Sequence, residues 1–135
     1  MANAVYPLYK VAAYGDAANA SLVSGTVKAL LVDLADYTYS AAHEFLSDVP
    51  AGARVATSPA LTGKTFTNGL FDAADVTFTA VTGDQSEALI LFIDTGSAAT
   101  SRLVAFFDTG VTGLPVQPNG GDIVITWNAG GIVSL

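Results

Sequence analysis

Cysteine is missing from all 135 residues. That excludes a disulfide framework, a zinc–thiolate site and a cysteine nucleophile together. Positive charge is scarce as well. Five Lys and Arg stand against 12 Asp and Glu, a net charge of −7. Neutralising phosphates takes a stripe of Lys and Arg, and none is present, so nucleic acid is not an expected partner. The same sign argues against docking on anionic membrane surfaces. The longest unbroken apolar run, Ala88 to Ile93, is far short of a spanning helix. The amino terminus, MANAVYPLYKVAAYGD, has no basic stretch followed by a long apolar run, so no secretory signal is expected.

What remains is a chain of single-domain length with an unusual balance. Charged residues make up 13% and hydrophobic residues 51%, before 13 glycines are counted. The charged share is about half the typical one. A small domain has much surface for its volume. Covering it with so few charges implies a coat of Ala, Ser, Thr and Gly, together with surface buried against other subunits.

Residues 1–24 read as an N-terminal arm and 25–135 as one β domain. Pro7 suits the first turn of a short helix, where an N–H has no partner in any case. Tyr6, Tyr9 and Tyr14 cluster in this arm. Either they pack on their own domain or they anchor a neighbouring subunit, and on the second reading they are interface residues. Removing residues 1–20 is then expected to leave a folded domain that no longer binds its partner.

From Gly25 the pattern is that of strands. Candidates are 26–34, 53–59, 64–67, 75–81, 88–94, 101–108, 122–128 and 131–135. In 75–81, Val76, Phe78 and Ala80 alternate with Thr77 and Thr79. In 122–128, Ile123, Ile125 and Trp127 share a face, which makes Trp127 a core residue. Strands 88–94 and 101–108 are apolar on both faces, as central strands are. Between 39 and 50, Ser40 is placed to cap a short helix carrying Phe45 and Leu46, ended by Pro50. The expected fold is mainly β: an antiparallel β-sandwich or jelly-roll-like barrel with one or two short helices and an N-terminal arm.

Two of these strands end alike. LFIDTGS (91–97) has the form in which aspartic proteases present their catalytic aspartate, and AFFDTG (105–110) repeats it. If the strands form a hairpin, Asp94 and Asp108 lie at opposite ends of the ribbon, roughly 20 Å apart over about six residues. They then cannot share a proton, which needs carboxylates about 3 Å apart. A dimeric protease escapes this argument, with Asp94 of the Asp94-Thr95-Gly96 motif meeting its copy across a two-fold axis. Such folds carry a later aliphatic pair followed by Gly, and here Ser134 follows Ile132-Val133. On the plainer reading, Asp94 and Gly96, and likewise Asp108 and Gly110, are structural turn residues: the carboxylate bonds its own backbone and Gly takes the positive φ. The protease reading expects Asp94→Asn to abolish cleavage near about pH 4–5. The structural reading expects no cleavage and a stability loss of about 0.5–2 kcal/mol.

Other motifs are thin. SPALTGKT (58–65) imitates a phosphate-binding loop but has Ser58 where the first Gly belongs, and it reads as a turn. His43, the only histidine, reads as solvated or helix-capping, and no metal site or catalytic residue is expected. Asp33/Asp36 and Asp72/Asp75 read as turn aspartates rather than an ion loop. Trp127 with the tyrosines is the one candidate for a sugar-stacking platform. No cofactor is expected.

Segments 25–66, 71–83, 88–96 and 113–135, which begin GTVKALLVDL, FDAADVTFTAV, ALILFIDTG and GLPVQPNGG, resemble a family of small tailed-bacteriophage virion proteins. The resemblance covers nearly the whole chain after the first 20 residues, and the chain is similar in size and composition to head decoration, or cement, proteins. It implies a structural role on the capsid surface of the virion, assembled in the host cytoplasm. It also implies two partners, the major capsid protein of the phage and the chain itself as a dimer or trimer. It brings no catalytic residue. The alternative within the virion is a tail, tail-tube or head–tail joining component. The dimeric protease is the alternative of a different class.

Overall fold

The computed structural model describes residues 3–15, 17–109, 111–128 and 130–134. Its largest sheet has five antiparallel strands. β1 (Ala4–Val5) pairs with β8 (Arg102–Phe107), β8 with β7 (Ala88–Asp94), β7 with β2 (Thr26–Val32), and β2 with β3 (Arg54–Thr57). A three-stranded sheet has the order β10 (Val133–Ser134), β5 (Leu70–Asp72), β4 (Thr65–Thr67), and a two-stranded one joins β6 (Val76–Phe78) to β9 (Ile123–Ile125). One α-helix, α1 (Pro7–Tyr14), precedes β2. The fold is mainly β and antiparallel, in keeping with a β-sandwich, and it does not close into a barrel.

The absence of alternation in β7 and β8 has a direct cause. Residues 88–93 are all buried, and both faces of the sheet at this point are covered. Phe106 and Phe107 point to opposite faces of β8. Phe106 meets Tyr37 and Tyr39, with ring centroids 6.3 and 5.5 Å away, and Phe107 meets Trp127 at 6.3 Å. A bulge on β8 sets Leu91 opposite Ala105 but Phe92 opposite Leu103. The carbonyl of the extra residue, Val104, accepts the Tyr6 N–H at 2.9 Å, which steers the chain out of β1 into α1.

The described residues of this segment, 3–15 and 17–24, are therefore packed into the domain. Tyr6 and Tyr9 are 0% and 2% exposed, and Ala12, Ala20 and Leu22 belong to the same core. Pro7 does open the helix. Removing residues 1–20 would strip β1 from β8 and uncover this core, so the expectation of an intact truncated domain is replaced by one of unfolding.

Two local expectations change. No α-helix forms after Ser40. Ser40 Oγ accepts the Ala42 N–H at 3.2 Å in a turn, and Phe45 is extended at φ −121° and ψ 162°. The reason is pairing with the start of β8: the Leu103 N–H donates to Glu44 O at 2.9 Å and the Leu46 N–H to Ser101 O at 2.8 Å. Only single 3-10 turns follow, at Leu46–Asp48 and Ala51–Ala53, with Pro50 opening the second instead of closing a helix. Ala80 does not face inward. It is exposed at φ +50°, past the end of β6, where the chain turns and its N–H donates to Asp122 Oδ1.

Candidate functional site

The two D-T-G segments lie at the ends of one hairpin, β7–β8. Leu89 stands opposite Phe107, so Asp108 falls at the Ala88 end of β7, six residues from Asp94 and about 20 Å along the ribbon. Within one chain the two carboxylates do not meet.

The first segment is a turn held by its own bonds. Asp94 Oδ1 accepts the Gly96 N–H at 2.9 Å, and Gly96 takes φ +86°, a conformation that costs a glycine little. Asp94 Oδ2 pairs with Lys28 Nζ on β2 at 2.7 Å. The Lys28 hydrogen bond, followed by the Gly96 N–H, holds the Asp94 carboxyl below its ordinary range. The rest of the turn is a hydroxyl network. The Thr95 N–H donates to Ser101 Oγ at 3.0 Å, Thr95 Oγ1 lies 2.6 Å from Thr100 Oγ1, and Ser101 Oγ donates to Ser97 O. At the other end Asn3 plays the bracing part. Its Oδ1 accepts the N–H groups of Asp108 and Thr109 at 2.8 and 3.0 Å, and its Nδ2 donates to Thr109 O. Gly110, the remaining turn expectation, lies outside the described residues.

A cleft of about 660 Å³ opens beside Asp94, lined by small side chains including Ala13, Ala17, Ser21 and Ser24. Asp94 enters it as a carboxylate already neutralised by Lys28. A catalytic aspartate dyad instead needs a carboxylate that shares a proton with a second one.

The three arm tyrosines separate. Tyr6 and Tyr9 are enclosed by their own chain, and Tyr9 Oη donates to Ala20 O at 2.8 Å. Tyr14 is 75% exposed. Tyr6 begins a chain of bonds that composition does not reveal. Its hydroxyl is 2.8 Å from Tyr37 Oη, which is 2.8 Å from His43 Nδ1. His43 is thus half-buried against Tyr37 and caps nothing. With Nδ1 unprotonated, Tyr6 donates to Tyr37 and Tyr37 to His43, so every hydroxyl proton is used. Burial pushes the Tyr37 and Tyr9 hydroxyls up to about 12, and Tyr6 well above its ordinary value. The residue spacing 6, 37, 43 crosses two elements and carries no local signal.

The remaining motifs resolve into structure. Ser58 Oγ accepts the Ala29 N–H and donates to Pro59 O, while Lys64 Nζ donates to Gly25 O at 2.6 Å, so SPALTGKT is a strand exit and turn. Trp127 is 6% exposed with Nε1 donating to Ala74 O, which removes it from any sugar platform. Asp33 and Asp36 are joined by Asp84, with carboxylate oxygens within 4.8 Å of one another. Asp33 Oδ1 accepts the Ala35 N–H in a turn, while Asp36 and Asp84 are exposed.

The exposed apolar surface expected from the composition has a place that the sequence did not indicate. Between α1, the 20–23 segment and the β4–β5 hairpin lies a groove of about 310 Å³ that includes Tyr14, Val23 and Phe66. No helix among the described residues is long and apolar enough to cross a membrane. No protein-family model matches the chain, and no curated protein matches it with significance.

Proposed function

We propose that this chain is a structural protein of a tailed-phage particle, a decoration or cement protein that self-associates and binds the major capsid protein on the outer face of the head. The reading begins from the resemblance of segments 25–66, 71–83, 88–96 and 113–135 to small virion proteins. The observation that carries it furthest is the character of the surface. The chain is only 13% charged, and Val11, Tyr14, Val23, Phe66, Leu70 and Val124 stay exposed on one subunit. Stapling neighbouring shell subunits needs buried area more than chemistry, and lasting interfaces are large and apolar. An acidic body is not drawn to packaged DNA.

Quantitative mass spectrometry of purified particles tests this through the copy number of the chain relative to the major shell protein. A lattice-wide cement is present in hundreds of copies. A joining piece has about a dozen, and a tail-tube subunit scales with tail length. The protease alternative is tested separately by peptide cleavage at acid pH. The Lys28–Asp94 pair supports the expectation of none.

A further inference from the structure

We propose that the open edge of β4, with the neutral groove beside it, is the surface through which two copies of this chain pair, antiparallel about a two-fold axis at Phe66. This rests on the self-association in the reading above and assigns it a place.

The backbone phase of the hairpin sets the geometry. Asn68 and Gly69, at φ +53° and +77°, form the two-residue turn that closes Thr67 opposite Leu70. That closing pair exchanges hydrogen bonds, and bonded and non-bonded pairs alternate along an antiparallel ribbon. Phe66 opposite Phe71 is then a non-bonded pair, each with its N–H and C=O turned away from the other. Phe71 fixes the phase independently, because its carbonyl accepts the Ile132 N–H from the far side at 2.9 Å. The Phe66 N–H and C=O therefore point off the free edge of the β10-β5-β4 sheet. Among the described residues no hydrogen bond reaches them.

Free edges are commonly guarded by a proline, a bulge or a projecting lysine. Here Thr65, Phe66 and Thr67 are all exposed and uncharged, and the adjacent Lys64 is drawn back to Gly25 O. A two-fold axis at Phe66 lets the two copies exchange both outward bonds. It sets Phe66 against Phe66 of the second copy and Thr65 against Thr67, which are favourable cross-strand pairs.

Charge selects the occupant. With 12 acidic against 5 basic residues, two copies repel unless they meet away from their carboxylates. Among the described residues none lining the groove is charged, and Tyr14, Val23 and Phe66 are 75%, 65% and 40% exposed. A charged peptide would find no countercharge there, whereas the same neutral face on a second copy fits. The edge supplies only two hydrogen bonds, so burying Tyr14 and Val23 must supply the rest. Two-fold pairing consumes both edges, and assembly at this surface stops at two.

Size-exclusion chromatography with light scattering on the full chain tests the proposal. The wild type is expected to be a dimer at micromolar concentration. Phe66→Lys sets like charges across the axis and Phe66→Pro removes the outward N–H without touching the bonds to β5. Each is expected to weaken pairing at least about tenfold. Val124→Lys, at the exposed position of β9, leaves the dimer unchanged. Should both Phe66 variants unfold, the wild-type Phe66 amide decides, with exchange slow in concentrated protein and fast on dilution. A monomeric or trimeric wild type overturns the proposal, as do dimeric Phe66 variants or a Phe66 amide indifferent to concentration. Particle copy number keeps the two readings apart. Lattice-wide binding by a monomer sinks this pairing and spares the decoration reading, and a Phe66-dependent dimer absent from particles does the reverse.

Discussion

Two hairpins in this molecule share a topology and differ in almost everything else. β7–β8 is enclosed: its side chains are buried on both faces and each strand has a neighbour beyond it. β4–β5 is a margin. β5 lies between two strands and buries Phe71, while β4 has all three residues exposed and, among the described residues, no neighbour outside. Pairing one strand with the other satisfies the backbone groups that face each other in both. What differs is how much apolar area leaves the water, and that term decides where stability resides. Stability belongs to the first hairpin and exposed, unpaired edge to the second.

The sharpest way to break that division is to remove what encloses the central hairpin. Deleting residues 1–20 strips β1 from β8 and takes Tyr6 and Tyr9 out of the core, and the expected product is an unfolded chain by circular dichroism. Among single substitutions, Phe106→Ala should cost about 3–5 kcal/mol in denaturant unfolding. Phe66→Ala on the margin should stay within about 0.5 kcal/mol, measured at concentrations that keep the protein monomeric. Equal losses at the two positions would refute the division.

A finer test concerns the polar seam over the Phe106 face. Tyr37→Phe removes the hydroxyl between Tyr6 and His43 and leaves the buried Tyr6 hydroxyl without its partner. The expected loss is about 1–3 kcal/mol. The double variant Tyr6→Phe/Tyr37→Phe should lose less than the sum, because no donor is stranded. Alkali probes the same seam. The Tyr6, Tyr9 and Tyr37 hydroxyls titrate higher in the folded chain than in the unfolded one. Their contribution is therefore complete below about pH 10 and falls as pH rises toward about 12. Thermal melts between those values should show a declining midpoint, with the share of tyrosinate absorbance that belongs to these three buried hydroxyls appearing only as the fold is lost.

The same contrast explains what could be read from the sequence. Long elements dominated by apolar burial were legible. Residues 88–94 are the strand expected, the Ile123, Ile125 and Trp127 face is buried, and the helix starts at Pro7. Elements fixed by distant backbone partners were not. Phe45 is extended because Glu44 and Leu46 bond β8, some 57 residues away in sequence, and propensity around Ser40 contains nothing of that. The strand β5, absent from the expected strands, does carry a local signal: Asn68-Gly69 between Thr65-Phe66-Thr67 and Leu70-Phe71-Asp72 is a strong short-range sign of a hairpin. The Asp94-Thr95-Gly96 segment was legible as a turn, but Lys28, which neutralises Asp94, comes from a strand more than 60 residues earlier.

The smallest expected effect falls at that ion pair. Asn at position 94 keeps an oxygen for the Gly96 N–H and loses only the charge that faces Lys28, so the cost falls below that of losing the turn's own hydrogen bond. With both side chains about a quarter exposed, Asp94→Asn should lose about 0.2–1 kcal/mol at neutral pH. The sign with pH follows from the depressed carboxyl. Its contribution is present above the ordinary aspartate value, about 3.9, and disappears as pH falls through the lower folded value. Wild type and variant should therefore converge in acid, below about pH 4, and differ most at neutral pH and low salt. A proton-sharing pair of Asp94 carboxylates across a dimer would behave in the opposite way. One of the two would titrate high, and removing it would change stability most in mild acid. Melting the two proteins side by side from neutral to acid pH separates a turn braced by Lys28 from a catalytic dyad without a substrate.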